Sequence, residues 1–198
     1  MQFSPLLVAS SIIEPLRYYF SSYGDATQFL WDNDETKRTI EIGDVNDFNK
    51  IPLQERPRVL VNRGVYQINK VGLSDNMAQG LSIAEGRGLR KDKHMLLYTG
   101  TASVIVEARN KGTCELLTDM VTHFIAWSRG PICDTQGFKN FADNLSVSEC
   151  SPTNDQDDTT FQVTIQLPYV KEEHWVMRDD GQLLKNYLIQ TLNLSLAT

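Results

Sequence analysis

The residues that most constrain the fold lie between 98 and 132, where a strand-like pattern runs directly into a helical one. In "GTASVIVEARN", Val104 and Val106 alternate with neighbours that face the other way, which predicts a half-buried strand. Residues 113–128 then repeat apolar positions at the spacing of an amphipathic α-helix. The predicted core stripe of this helix consists of Leu117, Met120, Val121 and Phe124, joined by Leu116, Ile125 and Trp127.

The opposite, polar face of this helix carries side chains that also occur in active sites, namely Glu115, Thr118, Asp119, Thr122 and His123. Cys114 and His123 would lie about 14 Å apart along the helix axis, because each helical residue rises about 1.5 Å. That separation is too large for a cysteine nucleophile and its histidine base. We therefore interpret Cys114 as a small buried residue and His123 as a solvated one.

Other candidates for catalysis or metal binding are weak. His94 and His174 have no partners at the spacing of a zinc site. Glu172 and Glu173 are adjacent on an extended segment, so their carboxylates point to opposite faces. We predict no catalytic activity, no cofactor and no metal. Two alternatives stay open, namely a small cytosolic enzyme that uses Cys114 or Glu107, and a regulatory or adaptor module.

Charge and cysteine content further restrict the class of protein to which the chain can belong. The formal net charge is −6, which opposes nonspecific binding to nucleic acid, since that binding depends on Lys and Arg. The three cysteines, Cys114, Cys133 and Cys150, are an odd number without metal-like spacing, so we expect reduced thiols that are dispensable for assembly. No apolar run reaches the length of a membrane span, and the N-terminus lacks the basic residues of a signal peptide.

The N-terminal part of the chain predicts one helix and three strands. Apolar residues from Leu6 to Phe20 follow a helical period, and Pro15 predicts a kink or a division into two short helices. The polar stretch "WDNDETKR" is typical of a loop. The strands follow in "TIEIGD" and "PRVLVNRGVYQINKVG", with a turn at Asn62-Arg63-Gly64.

The C-terminal part predicts two more strands, "NLSVSE" and "TFQVTIQLPYV", joined by an exposed acidic turn, "SPTNDQDD". Asp179-Asp180-Gly181 would begin a short C-terminal helix. The predicted fold class is α/β of the α+β kind: a mostly antiparallel sheet flanked by an N-terminal helix, the central amphipathic helix and the C-terminal helix. We expect one domain over residues 1–198.

A long excursion interrupts this pattern at residues 72–94. It contains four glycines, lacks a hydrophobic period and ends in "RGLRKDKH", the densest cluster of basic residues in the chain. Long loops inside a domain are usually functional or mobile. We therefore predict that its basic residues meet acidic residues of an adjacent copy, with the interface candidates Arg87, Arg90, Lys91, Lys93, Glu172 and Glu173.

The order of elements over residues 98–176 resembles that of tail-terminator and neck proteins of tailed bacteriophages. The resemblance lies in "GTASVIVEARNKGTCELLTDMVTHFIAWSRGPI", followed by a short strand, a polar turn and "TTFQVTIQLPYVKEEHW". The positions that match the family's helix pattern are Leu116, Leu117, Asp119, Val121, Phe124 and Ile125. The chain departs from smaller members of the family by the excursion at 72–94 and the insert "DNDETKR".

The resemblance implies a structural protein of the virion, located in the tail or neck and assembled in the host cytoplasm. Family members form homo-oligomeric rings, typically hexamers, that cap the finished tail tube and join it to the head connector. The implied partners are other copies of the chain, the tail tube protein and the neck proteins, without a membrane. DNA would pass through the lumen without specific binding. The alternative within the family is another neck or connector ring.

Proteolysis tests the excursion. Ordering a free loop costs about 1–2 kcal/mol per residue, so we expect the segment to become ordered only against a partner. Trypsin should cut the unassembled subunit first at Arg87, Arg90, Lys91 or Lys93, and the assembled form should resist cleavage there. Equal cleavage rates in both states would show that the segment contacts no neighbour.

Overall fold

The structure is a computed structural model that describes residues 6–22, 28–48, 56–71, 92–155 and 158–177. In chain order its elements are α1 (Leu6–Ser22), β1 (Glu41–Asp44), α2 (Val45–Phe48), β2 (Arg58–Asn62), β3 (Tyr66–Val71), β4 (Asp92–Ala108), α3 (Lys111–Gln136), β5 (Phe138–Phe141), β6 (Ser146–Val147), β7 (Ser151–Asp155) and β8 (Asp158–Met177).

The strands form one eight-stranded sheet in the order β1-β2-β4-β8-β5, with β3 also paired to β4, and β6 and β7 also paired to β8. β1 pairs in parallel with β2, whereas β2 is antiparallel to β4, and β5, β6 and β7 are antiparallel to β8. The predicted α+β class with a mostly antiparallel sheet is thereby confirmed. The predicted C-terminal helix lies outside the described residues.

Contacts group the residues of the chain into two compact units. The expectation of one domain over residues 1–198 stays a prediction. The first unit comprises residues 1–67 and 98–171, and the second comprises residues 68–97 and 172–198. The first unit contains both long helices and the apolar core. The described part of the second unit consists of segments of β3, β4 and β8.

The core of the first unit forms on one face of β2, β4 and β8. Ala102, Val104 and Val106 of β4 have no exposed surface, and they alternate with half-buried residues as predicted. Val59 and Val61 of β2 lie opposite Val106 and Val104, so both strands present valines to the same side. Burying one such side chain contributes about 1.5–3 kcal/mol.

Helix α1 packs on this sheet and on α3. Tyr19 stacks on Phe124 of α3, with ring centroids 4.7 Å apart. Arg17 donates to the carbonyl oxygen of Ile42 from Nε at 3.1 Å and from Nη2 at 2.9 Å, which fastens α1 to β1. The helix runs through Pro15 rather than dividing into two, because buried residues on both sides of the proline hold it against the core.

Helix α3 is longer than the predicted span of 113–128. Asn110 caps its start by accepting a hydrogen bond from the backbone N–H of Gly112 at 2.8 Å. Pro131 lies inside the helix, which ends only where Gly137 adopts φ 69° and donates to the carbonyl oxygen of Cys133. Ile132 is buried, so the last turns beyond Pro131 still pack on the core.

The buried stripe of α3 is rotated relative to the prediction. Leu117, Val121 and Ile125 are fully buried or nearly so, whereas Met120 and Phe124 are half-buried. The assignment of Leu116 and Trp127 to the stripe was wrong, since they are 47% and 80% exposed. Thr118 was assigned to the polar face but is buried. Its hydroxyl can be buried because it donates a hydrogen bond to the carbonyl oxygen of Cys114 at 2.7 Å.

The segment between the helix and β8 also differs from the prediction. The expected acidic turn at 151–158 is a β-hairpin, in which β7 pairs with β8 from Ser151 opposite Gln162 to Asp155 opposite Asp158. Strand β5 was not predicted, because "FKNF" is too short to show a period. The predicted strand "NLSVSE" is reduced to β6, and its Val147 is 45% exposed rather than buried.

The turn predicted at Asn62-Arg63-Gly64 is present between β2 and β3, and both strands pair with β4. Asn62 Oδ1 accepts a hydrogen bond from the N–H of Gly64 at 3.1 Å, and Gly64 adopts φ +65°. A Cβ atom at this position would lie 1.8 Å from the carbonyl oxygen of Thr101. Only glycine fits this turn.

Two adjacent leucines provide a test of the rotated stripe. Leu117→Ala should lower the free energy of unfolding by about 2–5 kcal/mol, since it leaves a cavity in the core. Leu116→Ala, the same change one residue earlier, should cost less than about 1 kcal/mol because the side chain is half in solvent. Urea unfolding of both variants measures the difference. Equal losses would place Leu116 in the core and contradict the described packing.

Candidate assembly surface

An apolar surface lies on the solvent side of α3. Leu116 and Trp127 are eleven positions apart, which is about three helical turns, so they project from the same side about 16 Å apart. Half-buried Met120 and exposed His123 lie between them on this side. We call these four residues the α3 outer face. Trp127 is its most prominent member because 80% of its surface is exposed.

The first unit also exposes other large apolar side chains. Tyr18 of α1 is 72% exposed, and Val65, in the turn between β2 and β3, is 85% exposed. Single exposed apolar residues are common in folded proteins. An exposed tryptophan is stronger evidence for an interface, because tryptophan is enriched among the residues that dominate binding energy at protein interfaces.

The ends of the strand order supply a second feature suited to assembly. Among the described strands, β1 and β5 end the path of the sheet, and each has four residues. An edge strand offers unpaired backbone groups to a neighbouring chain, and short or charged edges limit uncontrolled pairing. β1 carries Glu41 and Asp44 at its two ends. A short, charged edge of this kind would let a strand of a neighbouring chain pair with it in one register only.

A network of ion pairs fixes the loop next to β1. Both carboxylate oxygens of Glu41 are engaged, one with Arg38 and one with Arg56, each at 3.1 Å. The guanidinium groups of Arg17 and Arg38 lie 4.9 Å and 5.4 Å from the ring centre of Trp31. Cation–π contacts at this distance are attractive. The insert "DNDETKR" is therefore an irregular loop, as predicted, that is held to the sheet by arginines.

None of the charged interface candidates is among the four residues that define the α3 outer face. Arg87, Arg90 and Lys91 are outside the described residues. Lys93 was assigned to the excursion, but it lies in β4, which begins at Asp92. The expected tryptic sites are thus Arg87, Arg90 and Lys91. Glu172 and Glu173 are half-buried on β8, the neighbour of β4 in the sheet.

Among the side chains that the structure describes, the groups considered for catalysis are not assembled into one site. Glu107 forms a part-buried ion pair with Arg58, which lies directly opposite it in the register of β2 and β4. His123 is exposed, and its Nδ1 is 2.7 Å from the carbonyl oxygen of Asp119 in its own helix. His94 lies on β4 and His174 on β8. Within the described ranges, no three His, Cys, Asp or Glu residues form a group that could hold a metal ion.

The thiols are arranged in a way that the sequence did not reveal. Cys114 is fully buried in the first turn of α3, and Cys150, just before β7, lies close enough to influence its thiol. Burial, and next the proximity of Cys150, raise the pKa of the Cys114 thiol to about 12. The two residues are far apart in the chain and meet because the unpredicted hairpin returns β7 to the start of α3. Burial, and then Asp143 and Asp134, raise the pKa of Cys133.

Comparison with known proteins adds no relative: no protein-family model matches the chain, and neither does any curated protein. Over the parts of the chain that the structure describes, no helix combines the length and apolar character needed to cross a bilayer.

Proposed function

We propose that the chain is a structural subunit of a bacteriophage virion that forms a ring at the top of the tail, caps the tail tube and joins it to the head connector. The observation that carries the proposal is the exposed α3 outer face, with Trp127 at 80% exposure, on a helix whose opposite side is locked into the core. This helix lies in the region, 98–176, that resembles tail-terminator and neck proteins.

The geometry suits a ring. A closed ring requires a heterologous interface, in which one surface of a subunit meets a different surface of the next. The α3 outer face supplies an apolar surface of this kind, and the edge strands β1 and β5 supply backbone groups at the two ends of the sheet. Large aromatic residues at the centre of such contacts provide most of the binding energy.

The charge suits passage of DNA through a ring. A net charge of −6 gives no general attraction for phosphate, and the ring would let DNA pass through its lumen without holding it. The arginines near β1 are engaged with Glu41, Trp31 and the carbonyl oxygen of Ile42 rather than directed at a common ligand. The partners of the ring would be the tail tube protein below it and the neck proteins above it.

A single substitution tests whether the α3 outer face mediates assembly. Trp127→Ser should weaken self-association at least about 30-fold, the equivalent of about 2 kcal/mol for a residue that dominates an interface. Its free energy of unfolding should change by less than about 0.5 kcal/mol, because the side chain is largely in solvent. Sedimentation velocity over a concentration series measures the association, and urea unfolding measures the stability.

Val65→Ser is the matched control, since Val65 is similarly exposed, at 85%, but belongs to the turn between β2 and β3 and not to α3. It should leave association unchanged. Unaltered association of Trp127→Ser, or a wild-type chain that stays monomeric with purified tail tubes present, would contradict the proposal. Electron microscopy of particles assembled without the chain distinguishes the two ring positions. Tubes of irregular length indicate a tail terminator, and tubes of normal length without heads indicate another neck ring.

A further inference from the structure

Cys114 is held at a point where three elements meet. It lies in the first turn of α3 and has no exposed surface. Its Sγ is 3.6 Å from the carbonyl oxygen of Val106 on β4 and 3.4 Å from the carbonyl oxygen of Phe161 on β8. The sulfur is therefore fixed between the helix and two neighbouring strands of the sheet.

The register of the hairpin brings Cys150 to the same point. Pro152 lies opposite Phe161, the residue whose carbonyl oxygen contacts Cys114, and Ser151 lies opposite Gln162. Cys150 immediately precedes this pairing. It lines a shallow pocket of about 200 Å³ together with Thr118, whose hydroxyl donates to the carbonyl oxygen of Cys114 at 2.7 Å. Cys150 is also close enough to Cys114 to contribute to the raised pKa of the Cys114 thiol.

The two thiols differ in access. Cys150 is half-buried and lines the pocket, so it is the more accessible of the two residues to a small molecule. Cys114 is sealed from solvent and keeps its proton, because burial and the neighbouring thiol raise its pKa to about 12. An oxidant therefore meets Cys150 first, and Cys114 is positioned to react second.

We propose that Cys114 and Cys150 are a redox-active pair that forms a reversible disulfide between the start of α3 and the strand that begins at Ser151. With hydrogen peroxide as the oxidant, the Cys150 sulfur attacks one peroxide oxygen and the O–O bond breaks. The departing hydroxide takes up the proton of the Cys150 thiol, so a sulfenic acid and one water result. The Cys114 sulfur then displaces the hydroxyl group, which leaves with the Cys114 proton as a second water. Two thiols are oxidised and one peroxide is reduced.

The cross-link would close the chain from residue 114 to residue 150, a segment that contains nearly all of α3 as well as β5 and β6. Such a link restricts the unfolded chain and stabilises the fold when the native geometry needs little adjustment. The register of β7 and β8 already places Cys150 two residues before Pro152, which lies opposite the residue that Cys114 contacts, and this favours a link made with small adjustments. This inference does not depend on the proposed function.

The test uses the full chain treated with a few equivalents of hydrogen peroxide and then digested under alkylating, non-reducing conditions. We expect a cross-linked peptide pair containing Cys114 and Cys150, a loss of two hydrogens from the intact mass, and an unmodified Cys133. The melting temperature should rise by roughly 5–15 °C and return to its starting value after reduction.

Two variants make the test decisive. Cys133→Ser should retain the cross-link and the rise in melting temperature, and Cys150→Ser should abolish both while remaining folded, because its side chain is only half-buried. The proposal fails if peroxide converts Cys150 to a sulfinic acid without a cross-link, leaves all three thiols reduced, or produces disulfides through Cys133. It also fails if the Cys114–Cys150 link lowers the melting temperature.

Discussion

The burial of one face of β4 is the constraint on which the rest of the first unit depends. Val104 and Val106 of β4 have no exposed surface. They lie opposite Val61 and Val59 of β2, so this register determines which side of β2 faces the helices. A shift of one residue would turn every one of these side chains to the other face. Cys114 contacts the carbonyl oxygen of Val106, so the start of α3 is set by the same strand. The position of the helix, and hence of its outer face, follows from β4.

Sequence periodicity predicted the elements whose burial is regular and failed where tertiary contacts decided the outcome. The alternation in β4 and β8 identified both strands, and Asn62 and Gly64 identified the turn. Helix α3 was identified as well, but the side of the helix that packs on the sheet was not. Leucine and tryptophan count as apolar in the sequence pattern whether they are buried or exposed. Its length was missed because Gly130 and Pro131 are typical of a helix end, whereas buried Ile132 and the cap at Gly137 extend it. The hairpin at β7 was missed because its residues are polar.

The same limitation of sequence periodicity applies to both candidate sites. The α3 outer face could not be predicted from sequence, since Trp127 was read as part of the core and only the packed structure leaves it exposed. The thiol pair could not be predicted either, because the contact between Cys114 and Cys150 depends on the unpredicted hairpin. The interface predicted from charge used Arg87, Arg90 and Lys91, which lie outside the described residues. Local charge in the sequence thus pointed to residues that are not part of the α3 outer face.

The two sites lie on opposite sides of one helix, and this arrangement lets them act independently. Cys114 projects into the core at the first turn, whereas Trp127 projects into solvent more than three turns later. A disulfide at Cys114 would stiffen the base of the helix without changing its outer face. Intracellular thiols are kept reduced, and disulfides persist outside the cell. If the chain is a virion subunit, the thiol pair would remain reduced during assembly in the host. It would oxidise only in the released particle, where added stability no longer interferes with folding or ring closure.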